Sequence, residues 1–314
     1  MEGGAAAEVF GTLAVDELWL SHAPACPILR TDLAVVPSGS LMPGSPGEPC
    51  RSVCSRGEEH DGMSYSDLAK KIAVVTGGSR GIGAETARRL AANGAKVAVV
   101  GRDETAVDAV VERIGRDEGT AIGAPADVTA FAAIEGMRTS VEAELGSVDV
   151  LAAFAGGQGM PMPTPEMPIE RWRQVIESDL TSVFLTVRSF LPGMVERGRG
   201  SIVTMASSAG RQPSQANAAY AVAKAGVVML TRHLAHEVGP RGIRVNCIAP
   251  SSILTERTEQ LIPDEAKQQI AAMHPLGRMG TPHDVANAAL FLASEASSWL
   301  TGVTIDVAGG RVTN

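Results

Sequence analysis

The sequence predicts an α/β fold: a single doubly wound parallel sheet of about seven strands with helices on both faces. Two observations lead to this prediction. Short apolar runs alternate with longer helical segments, and each apolar run is continuous rather than interleaved with polar residues. Strands that alternate with helices are joined by right-handed crossovers and therefore pair in parallel. A continuous apolar strand indicates burial on both sides, which places helices on both faces of the sheet.

The composition indicates a protein with one large core. The chain has 314 residues, of which 45% are hydrophobic, enough for one large α/β domain. The net charge of -8, with no basic block, predicts neither nucleic acid nor a membrane surface as a partner. No uninterrupted apolar stretch reaches the roughly 18 residues of a membrane-spanning helix. Four cysteines are too few and too unevenly spaced for a disulfide framework, so we expect a reducing, cytoplasmic setting.

The first 62 positions differ in composition from the remainder. The stretch PSGSLMPGSPGEPCRSVCSRGEEHDG is rich in Pro, Gly and Ser and has no sustained period, which predicts a disordered or non-native extension over 1–62. Cys50 and Cys54 lie there without a second pair at zinc spacing, so we expect no metal site. Met63 opens a short lead-in to the first strand. We therefore place the folded domain at 63–314.

The elements follow in order from this pattern. The predicted strands are 71–76, 96–101, 120–125, 148–153, 200–206, 242–248 and 302–306. The predicted helices are 82–93, 103–115, 130–145, 169–197, 218–239 and 282–294. The segment 252–280 is polar, weakly helical and flanked by prolines, so we expect a lid over one edge of the sheet.

Four glycines occur in TGGSRGIG, residues 76–83, between the first strand and the first helix. Glycines at such a junction let a pyrophosphate approach the backbone, and the helix N-terminus offers unpaired N–H groups and a partial positive charge. This is a phosphate cradle of the Rossmann type, although the spacing is not G-x-G-x-x-G. The candidate cofactor contacts in this turn are Gly77, Ser79, Arg80, Gly81, Ile82 and Gly83.

The second strand ends at Gly101, followed by Arg102 and Asp103. An acid at this tip would accept hydrogen bonds from a free ribose 2′-hydroxyl, whereas arginine accommodates a 2′-phosphate. The two positive charges of Arg80 and Arg102 favour a 2′-phosphate more than the single carboxylate of Asp103, which can turn outward, disfavours it. The prediction is therefore NADPH, with NADH less favoured. Asp127 and Val128 end the third strand, where the carboxylate would meet the adenine amino group.

Tyr220 and Lys224 are four residues apart in the helix-forming stretch AAYAVAKAG and so share one helix face. A tyrosine phenol has an ordinary pKa of about 10, and a nearby ammonium favours its ionised form. The preceding strand ends with Ser207 and Ser208, and a hydroxyl there can bond a substrate carbonyl.

With these motifs the chain resembles the short-chain dehydrogenase/reductase family over about residues 66–314, and most closely its β-ketoacyl-carrier-protein reductase type. The resemblance rests on TGGSRGIG, SSAG, YAVAK, RGIRVNCIAP, HPLGRMGTPHDVA and TGVTIDVAGG. It implies that Tyr220 is the proton donor, that Lys224 lowers the pKa of the donor phenol and holds the nicotinamide ribose, and that Ser207, rather than Ser208, positions the substrate. The further cofactor contacts that it implies are Ala155, Gly156, Pro250, Ile253 and Thr255. It also implies a homotetramer formed through the two long helices and the last strand.

Two departures from the family pattern are present. Ala153 and Phe154 stand where the family has two asparagines, and Asp179 replaces the asparagine that holds a water in the proton relay. Asp179 is therefore a candidate member of the catalytic set. It either pairs with Lys224 through water and changes the lysine's effect on Tyr220, or weakens the relay, or is a neutral replacement.

The sequence therefore predicts an NADPH-dependent ketoreductase that acts on a small-molecule carbonyl. The lead substrate class is a 3-oxoacyl thioester, on a carrier protein or CoA, or a polyketide-like ketone. A dehydrogenase of another secondary alcohol, such as a sugar or steroid, is the alternative enzyme. A cofactor-binding protein with weak catalysis is the alternative outside that class. Met160 and Met162 follow the fourth strand and either line an apolar substrate pocket or pack within the loop.

Overall fold

The computed structural model describes residues 64–312. The predicted extension at 1–62, with Cys50 and Cys54, lies outside these described residues. The strands are β1 (Ile72–Thr76), β2 (Lys96–Val100), β3 (Thr120–Gly123), β4 (Val150–Ala153), β5 (Gly200–Met205), β6 (Ile243–Pro250) and β7 (Thr304–Val307). They form one sheet in the order β3-β2-β1-β4-β5-β6-β7, and every neighbouring pair is parallel. The predicted doubly wound sheet is confirmed, with strand ends that differ by a few residues.

The strand order reverses direction between β1 and β4. From β1 the chain builds outward to β2 and β3, and then crosses back to add β4 to β7 on the other side. Such a reversal opens a crevice at the carboxyl ends of the two central strands, where open α/β sheets bind ligands. Thr76 joins these ends, because its Oγ1 accepts hydrogen bonds from the backbone N–H groups of Phe154 (3.1 Å) and Ala155 (3.3 Å).

Helices cover both faces of the sheet. Within residues 64–312 the α-helices are α1 (Gly81–Ala92), α2 (Glu104–Arg116), α3 (Phe131–Glu144), α4 (Ile169–Ile176), α5 (Ser182–Arg197), α6 (Ala218–Val238), α7 (Glu256–Leu261), α8 (Asp264–Ala272) and α9 (Pro282–Ala293). One apolar core contains residues of α3, α5 and α6, and the other contains residues of α1, α2 and α9. No helix in this part of the chain has both the length and the apolar character needed to cross a membrane.

The continuous apolar strands supply both cores at once. In β1, Val74 belongs to the core with α3, α5 and α6, while Ala73 and Val75 belong to the core with α1, α2 and α9. All three side chains are fully buried. Because successive strand residues point to opposite faces, a strand covered on both sides must be apolar at every position.

The helix predicted at 169–197 is interrupted. A π-helical turn at Glu177–Thr181 separates α4 from α5. A π turn inserts one residue into a helical ladder and leaves the apolar pattern on either side looking helical, so periodicity does not reveal it. Such turns occur frequently at functional sites, and Asp179 lies in this one.

The segment 252–280, which we call the lid, carries α7 and α8. Its two ends meet in an isolated parallel bridge between Ile253 and Gly280, and the N–H of Leu254 donates to the Gly280 carbonyl at 2.8 Å. A Cβ on Gly280 would lie 2.5 Å from Ile253 Cδ1. The two ends of the lid are therefore held together beside the end of β6.

Candidate active site

The turn between β1 and α1 presents bare backbone at a helix N-terminus. Gly77 and Gly81 adopt left-handed φ values of 67° and 53°. A Cβ on Gly83 would lie 2.1 Å from the carbonyl oxygen of Gly77, so this position admits no side chain. The first N–H groups of α1 are free of intrahelical partners and attract anions. The turn fits the pyrophosphate of a dinucleotide.

The beginning of the lid lies against this turn. A Cβ on Gly81 would lie 3.2 Å from Thr255 Cγ2, and Thr255 caps α7 by accepting the N–H of Thr258 at 3.3 Å. Pro250 ends β6, so the chain between Pro250 and Thr255 spans from the strand end to the glycine turn. Ile253 packs in the apolar core and is 7% exposed.

The tip of β2 carries an ion pair. Ser79 covers Gly101, since a Cβ there would lie 2.9 Å from Ser79 Oγ. Asp103 accepts a hydrogen bond from Arg80 and also caps α2 by accepting the N–H of Ala106 at 3.1 Å. The prediction of NADPH requires that Asp103 be able to turn outward. In the structure this carboxylate is held by two partners, so Arg80 is not a free guanidinium.

The third strand leads into an Asp127 turn. Oδ1 of Asp127 accepts hydrogen bonds from the N–H (3.0 Å) and hydroxyl (2.8 Å) of Thr129. These bonds, with a smaller contribution from the Arg102 charge, hold the pKa of the Asp127 carboxyl below its usual range. Val128 is buried in the core at 9% exposure. The proposed contact between Asp127 and adenine stays a prediction.

The helix α6 holds Tyr220 and Lys224 on one face. Asn217 caps it by accepting the N–H of Tyr220 at 2.9 Å. Lys224 is 2% exposed, its Nζ donates to the carbonyl of Met205 at 3.0 Å, and Nζ lies 5.6 Å from the centroid of the Tyr220 ring. The predicted pair is therefore brought together at the carboxyl end of β5.

Ser207 follows β5 and opens a short turn, Ser208–Gly210. Its Oγ accepts the N–H of Ala209 at 3.2 Å, which leaves its hydroxyl hydrogen available to an acceptor. A Cβ on Gly210 would lie 2.5 Å from the backbone carbon of Lys224. The turn that begins at Ser207 is therefore packed directly on α6 at the lysine.

Asp179 contacts Lys224 directly. Its side chain is fully buried, and Oδ1 lies 3.4 Å from Lys224 Nζ. Oδ1 also accepts the N–H of Gly157 at 2.6 Å, and Oδ2 accepts the hydroxyl of Ser178 at 2.7 Å. Gly156 passes so close that a Cβ there would lie 2.6 Å from Oδ1. Of the alternatives that the sequence left open, pairing through water is replaced by a direct, buried ion pair.

Sequence reasoning missed the role of Asn217 in fixing the loop after β4. Its Nδ2 donates to the carbonyls of Gln158 (2.7 Å) and Met160 (2.9 Å). This loop covers the tyrosine, since a Cβ on Gly159 would lie 3.0 Å from the Tyr220 ring. The available signal is an asparagine at the N-cap position of the Tyr-Lys helix. Its two hydrogen bonds to the loop join residues that are at least 57 positions apart in the sequence. A local sequence pattern therefore does not reveal them.

A second missed contact joins the lid to β6. Nδ1 of His274 lies 2.8 Å from the Ile270 carbonyl, and Nε2 lies 3.1 Å from Ser251 Oγ. A carbonyl only accepts, so Nδ1 carries the proton, and in the neutral ring Nε2 accepts from Ser251. Across residues 64–312, no three His, Cys, Asp or Glu side chains are grouped so that they could hold a metal ion.

Known proteins resemble this chain over nearly their whole length. A family profile described as Enoyl-(Acyl carrier protein) reductase matches residues 77–311. The 3-oxoacyl-[acyl-carrier-protein] reductase FabG of Escherichia coli (strain K12) is 39% identical over 242 residues, covering 76% of this chain and 96% of the relative. The cis-4-hydroxycyclohexanecarboxylate dehydrogenase of Sinomonas cyclohexanicum is 41% identical over 244 residues, covering 77% and 97%.

A solved structure agrees with these relatives. The 7α-hydroxysteroid dehydrogenase complexed with NADH and 7-oxo glycochenodeoxycholic acid superposes with a TM-score of 0.75 at 36% identity, covering 79% of this chain and 98% of that one. The three named proteins differ in the molecule that they act on.

Proposed function

This chain belongs to the short-chain dehydrogenase/reductase family and is an oxidoreductase of secondary alcohols or the corresponding ketones; we propose that it is an NADPH-dependent ketoreductase. The observation that carries the proposal is the burial of Lys224 between Tyr220 and Asp179, beside the serine turn at the end of β5. A lysine amine buried next to a phenol is an arrangement suited to moving a proton.

Each residue has a defined part in this reaction. A bound nicotinamide supplies the hydride for the carbonyl carbon. Tyr220 donates its phenolic proton to the carbonyl oxygen, and the Ser207 hydroxyl donates a hydrogen bond to the same oxygen as its negative charge develops. Lys224 stabilises the phenolate that remains on Tyr220. The hydrogen bonds from Asn217 to Gln158 and Met160 hold the loop over the tyrosine.

The dinucleotide would be held at the turn between β1 and α1 and at the beginning of the lid. Backbone N–H groups of Gly77, Ser79, Arg80, Gly81, Ile82 and Gly83 would face its pyrophosphate, with Asp127, Val128, Ala155, Gly156, Pro250, Ile253 and Thr255 along its length and Lys224 at the ribose beside Tyr220. An NAD(H)-bound neighbour supports a nicotinamide cofactor.

The preference for NADPH depends on the ion pair at the tip of β2. The side chains of Arg80 and Asp103 are 72% and 50% exposed, and an exposed pair contributes only about 0.2–1 kcal/mol. A 2′-phosphate forms stronger charge-assisted bonds with a guanidinium, so it would draw Arg80 from Asp103, with Arg102 beside it.

The Asp103→Asn variant tests this preference. Asparagine caps a helix as well as aspartate, so the exchange removes the competing charge and keeps α2 intact. We expect the ratio of kcat/KM for NADPH over NADH to exceed one and to rise several-fold in the variant. A ratio below one in the unchanged protein would contradict the NADPH assignment.

For the substrate, we propose a 3-oxoacyl thioester, carried by CoA or a carrier protein, or a polyketide-like ketone. The similarity to the FabG reductase supports it. The similarity to steroid and cyclohexanecarboxylate dehydrogenases supports the alternative, a cyclic secondary alcohol. Met160, 56% exposed at the loop over the tyrosine, is available to line an apolar pocket for either class.

The activity test compares these classes directly. Initial rates with NADPH would be measured for a 3-oxoacyl-CoA, a 3-oxosteroid and a substituted cyclohexanone. The expected order places the thioester first, and a steroid or cyclohexanone with the highest kcat/KM would favour the alternative. Dinucleotide binding without turnover on any member would contradict the ketoreductase and favour a binding protein.

The oligomeric state and the cellular location of the protein are also proposals. We propose a homotetramer through α4–α6 and the last strand. Phe184 on α5 and Met229 on α6 are 46% and 61% exposed, and apolar side chains of this size on neighbouring helices suit a subunit contact. A cytoplasmic location without nucleic acid or membrane partners remains the prediction from composition. Light scattering at several protein concentrations measures the assembly.

A further inference from the structure

The buried pair of Asp179 and Lys224 points to a role that the family's asparagine cannot perform. Both side chains are excluded from solvent, at 0% and 2% exposure. A buried carboxylate is costly unless it is paired and hydrogen-bonded. Asp179 meets both conditions, since Gly157 and Ser178 donate to its two oxygens and Lys224 lies 3.4 Å away.

Three groups surround the two oxygens of the Asp179 side chain. The N–H of Gly157 and the hydroxyl of Ser178 both donate, and the ammonium adds a positive charge at close range. Hydrogen bonds and an opposite charge stabilise the ionised form. Asp179 therefore places a negative charge against the lysine that faces Tyr220.

The surroundings contain few competing charges. Within residues 64–312, the ionisable groups that face Lys224 are Asp179 from the π turn, Tyr220 from its own helix and Cys247 from β6. Burial raises the pKa of the Cys247 thiol, which keeps it neutral. The loop at 156–160, β5 and the turn at Ser208–Gly210 have no ionisable side chains.

The charged residues of α4, which packs on α6, are directed elsewhere. Arg171 donates to the side chain of Gln158 at 2.9 Å. Glu170 and Arg173 are exposed to solvent. The charge balance at Tyr220 is therefore set by Lys224 and Asp179 together.

We propose that Asp179 is a counter-ion that partly cancels the charge of Lys224 and so keeps Tyr220 protonated across neutral pH. The protonated phenol is the form that a carbonyl reductase requires, whereas oxidation of an alcohol requires the phenolate. Asp179 is a positioning residue that acts through the lysine. The consequence for reaction direction rests on the proposed function, while the effect on ionisation of the tyrosine does not.

The scarcity of tyrosine makes the ionisation directly measurable. The chain has two tyrosines, Tyr65 and Tyr220. Tyr65 is buried, its hydroxyl has no hydrogen-bond partner among residues 64–312, and burial raises its pKa. In a Tyr65→Phe background, the near-ultraviolet absorbance of tyrosinate during a pH titration reports Tyr220 alone, with neither cofactor nor substrate present.

The Asp179→Asn exchange in that background removes the charge and keeps the shape. We expect the midpoint of the Tyr220 titration to move to lower pH by about one unit, since loss of a unit charge from a buried charge pair has an effect of this order. In the loaded enzyme, the pH profile of kcat/KM should move in the same direction, and alcohol oxidation at neutral pH should rise roughly tenfold.

The Ser178→Ala exchange is the matched control, because it disturbs the carboxylate's hydrogen bond and keeps its charge. The counter-ion role predicts that its midpoint stays near that of the parent. An unchanged or higher midpoint in Asp179→Asn, or an equal shift in Ser178→Ala, would overturn the proposal. Asp179→Ser repeats the test if the asparagine variant does not fold. A shifted titration without turnover on any carbonyl would contradict the proposed function alone.

Discussion

Replacement of Gly83 by alanine tests whether the glycine turn is packed too closely to admit a side chain. The new Cβ would lie 2.1 Å from the carbonyl oxygen of Gly77 and 3.0 Å from Gly78 Cα. Ordinary contacts require about 3.5 Å. Both neighbours are backbone atoms, so α1 and the end of β1 must move apart rather than a side chain turning away.

The magnitude follows from two opposing contributions. Alanine is favoured over glycine in a helix by about 1 kcal/mol, and overpacking of a tight interior costs about 1–3 kcal/mol. Gly136 in α3 is the matched control, because a Cβ there meets nothing within 4 Å. The difference between the two variants isolates the clash, which we expect near 3 kcal/mol, or about 6–12 °C in Tm for a domain of this size.

Thermal unfolding followed by circular dichroism measures this difference, and dinucleotide fluorescence measures binding. Gly136→Ala should match or exceed the unchanged protein in Tm and bind the dinucleotide equally well. Gly83→Ala should melt lower and bind at least tenfold more weakly. Equal Tm values and equal Kd values for the two variants would refute the reasoning.

Three further outcomes are expected. Tyr220→Phe should lower kcat for ketone reduction by about 10²–10⁴-fold with dinucleotide Kd unchanged in a fluorescence titration; full activity would contradict its role as proton donor. Ser251→Gly removes the bond to His274, so limited proteolysis should cleave the lid faster than in the unchanged protein; an equal rate would mean that this bond does not hold it. The hydrogen bond from Arg278 holds the pKa of Asp284 well below its usual range, so its carboxylate stabilises the fold above about pH 4 and loses this effect in more acid solution. Asp284→Asn should therefore lower the free energy of urea unfolding at neutral pH, by a margin that narrows as the pH falls below 4; a margin independent of pH would contradict this.

The tyrosine and lysine of the site could be predicted from the sequence because four positions on a helix make one turn. The glycine turn could be predicted because it joins a buried strand to a helix, and the sheet because its strands are apolar throughout. The assembly of these pieces at one crevice followed from parallel topology, which brings the carboxyl ends of all strands to the same edge.

The contacts of Asp179 could not be predicted in the same way. The sequence showed the departure from asparagine and left open whether the charge mattered. Its direct contact with Lys224 depends on a π turn, which adds one residue without changing the apolar pattern. The bonds from Asn217 to Gln158 and from Ser251 to His274 likewise join distant segments.

The sequence by itself determined the order of strands and helices, the glycine turn and the face that carries Tyr220 and Lys224, because each depends on local periodicity and short spacing. The tertiary structure alone decided which charge lies against the lysine, what holds the loop over the tyrosine and what ties Arg80 to Asp103. Those pairings depend on distances set by packing across the sheet, and packing distances between distant segments leave no periodic trace along the chain.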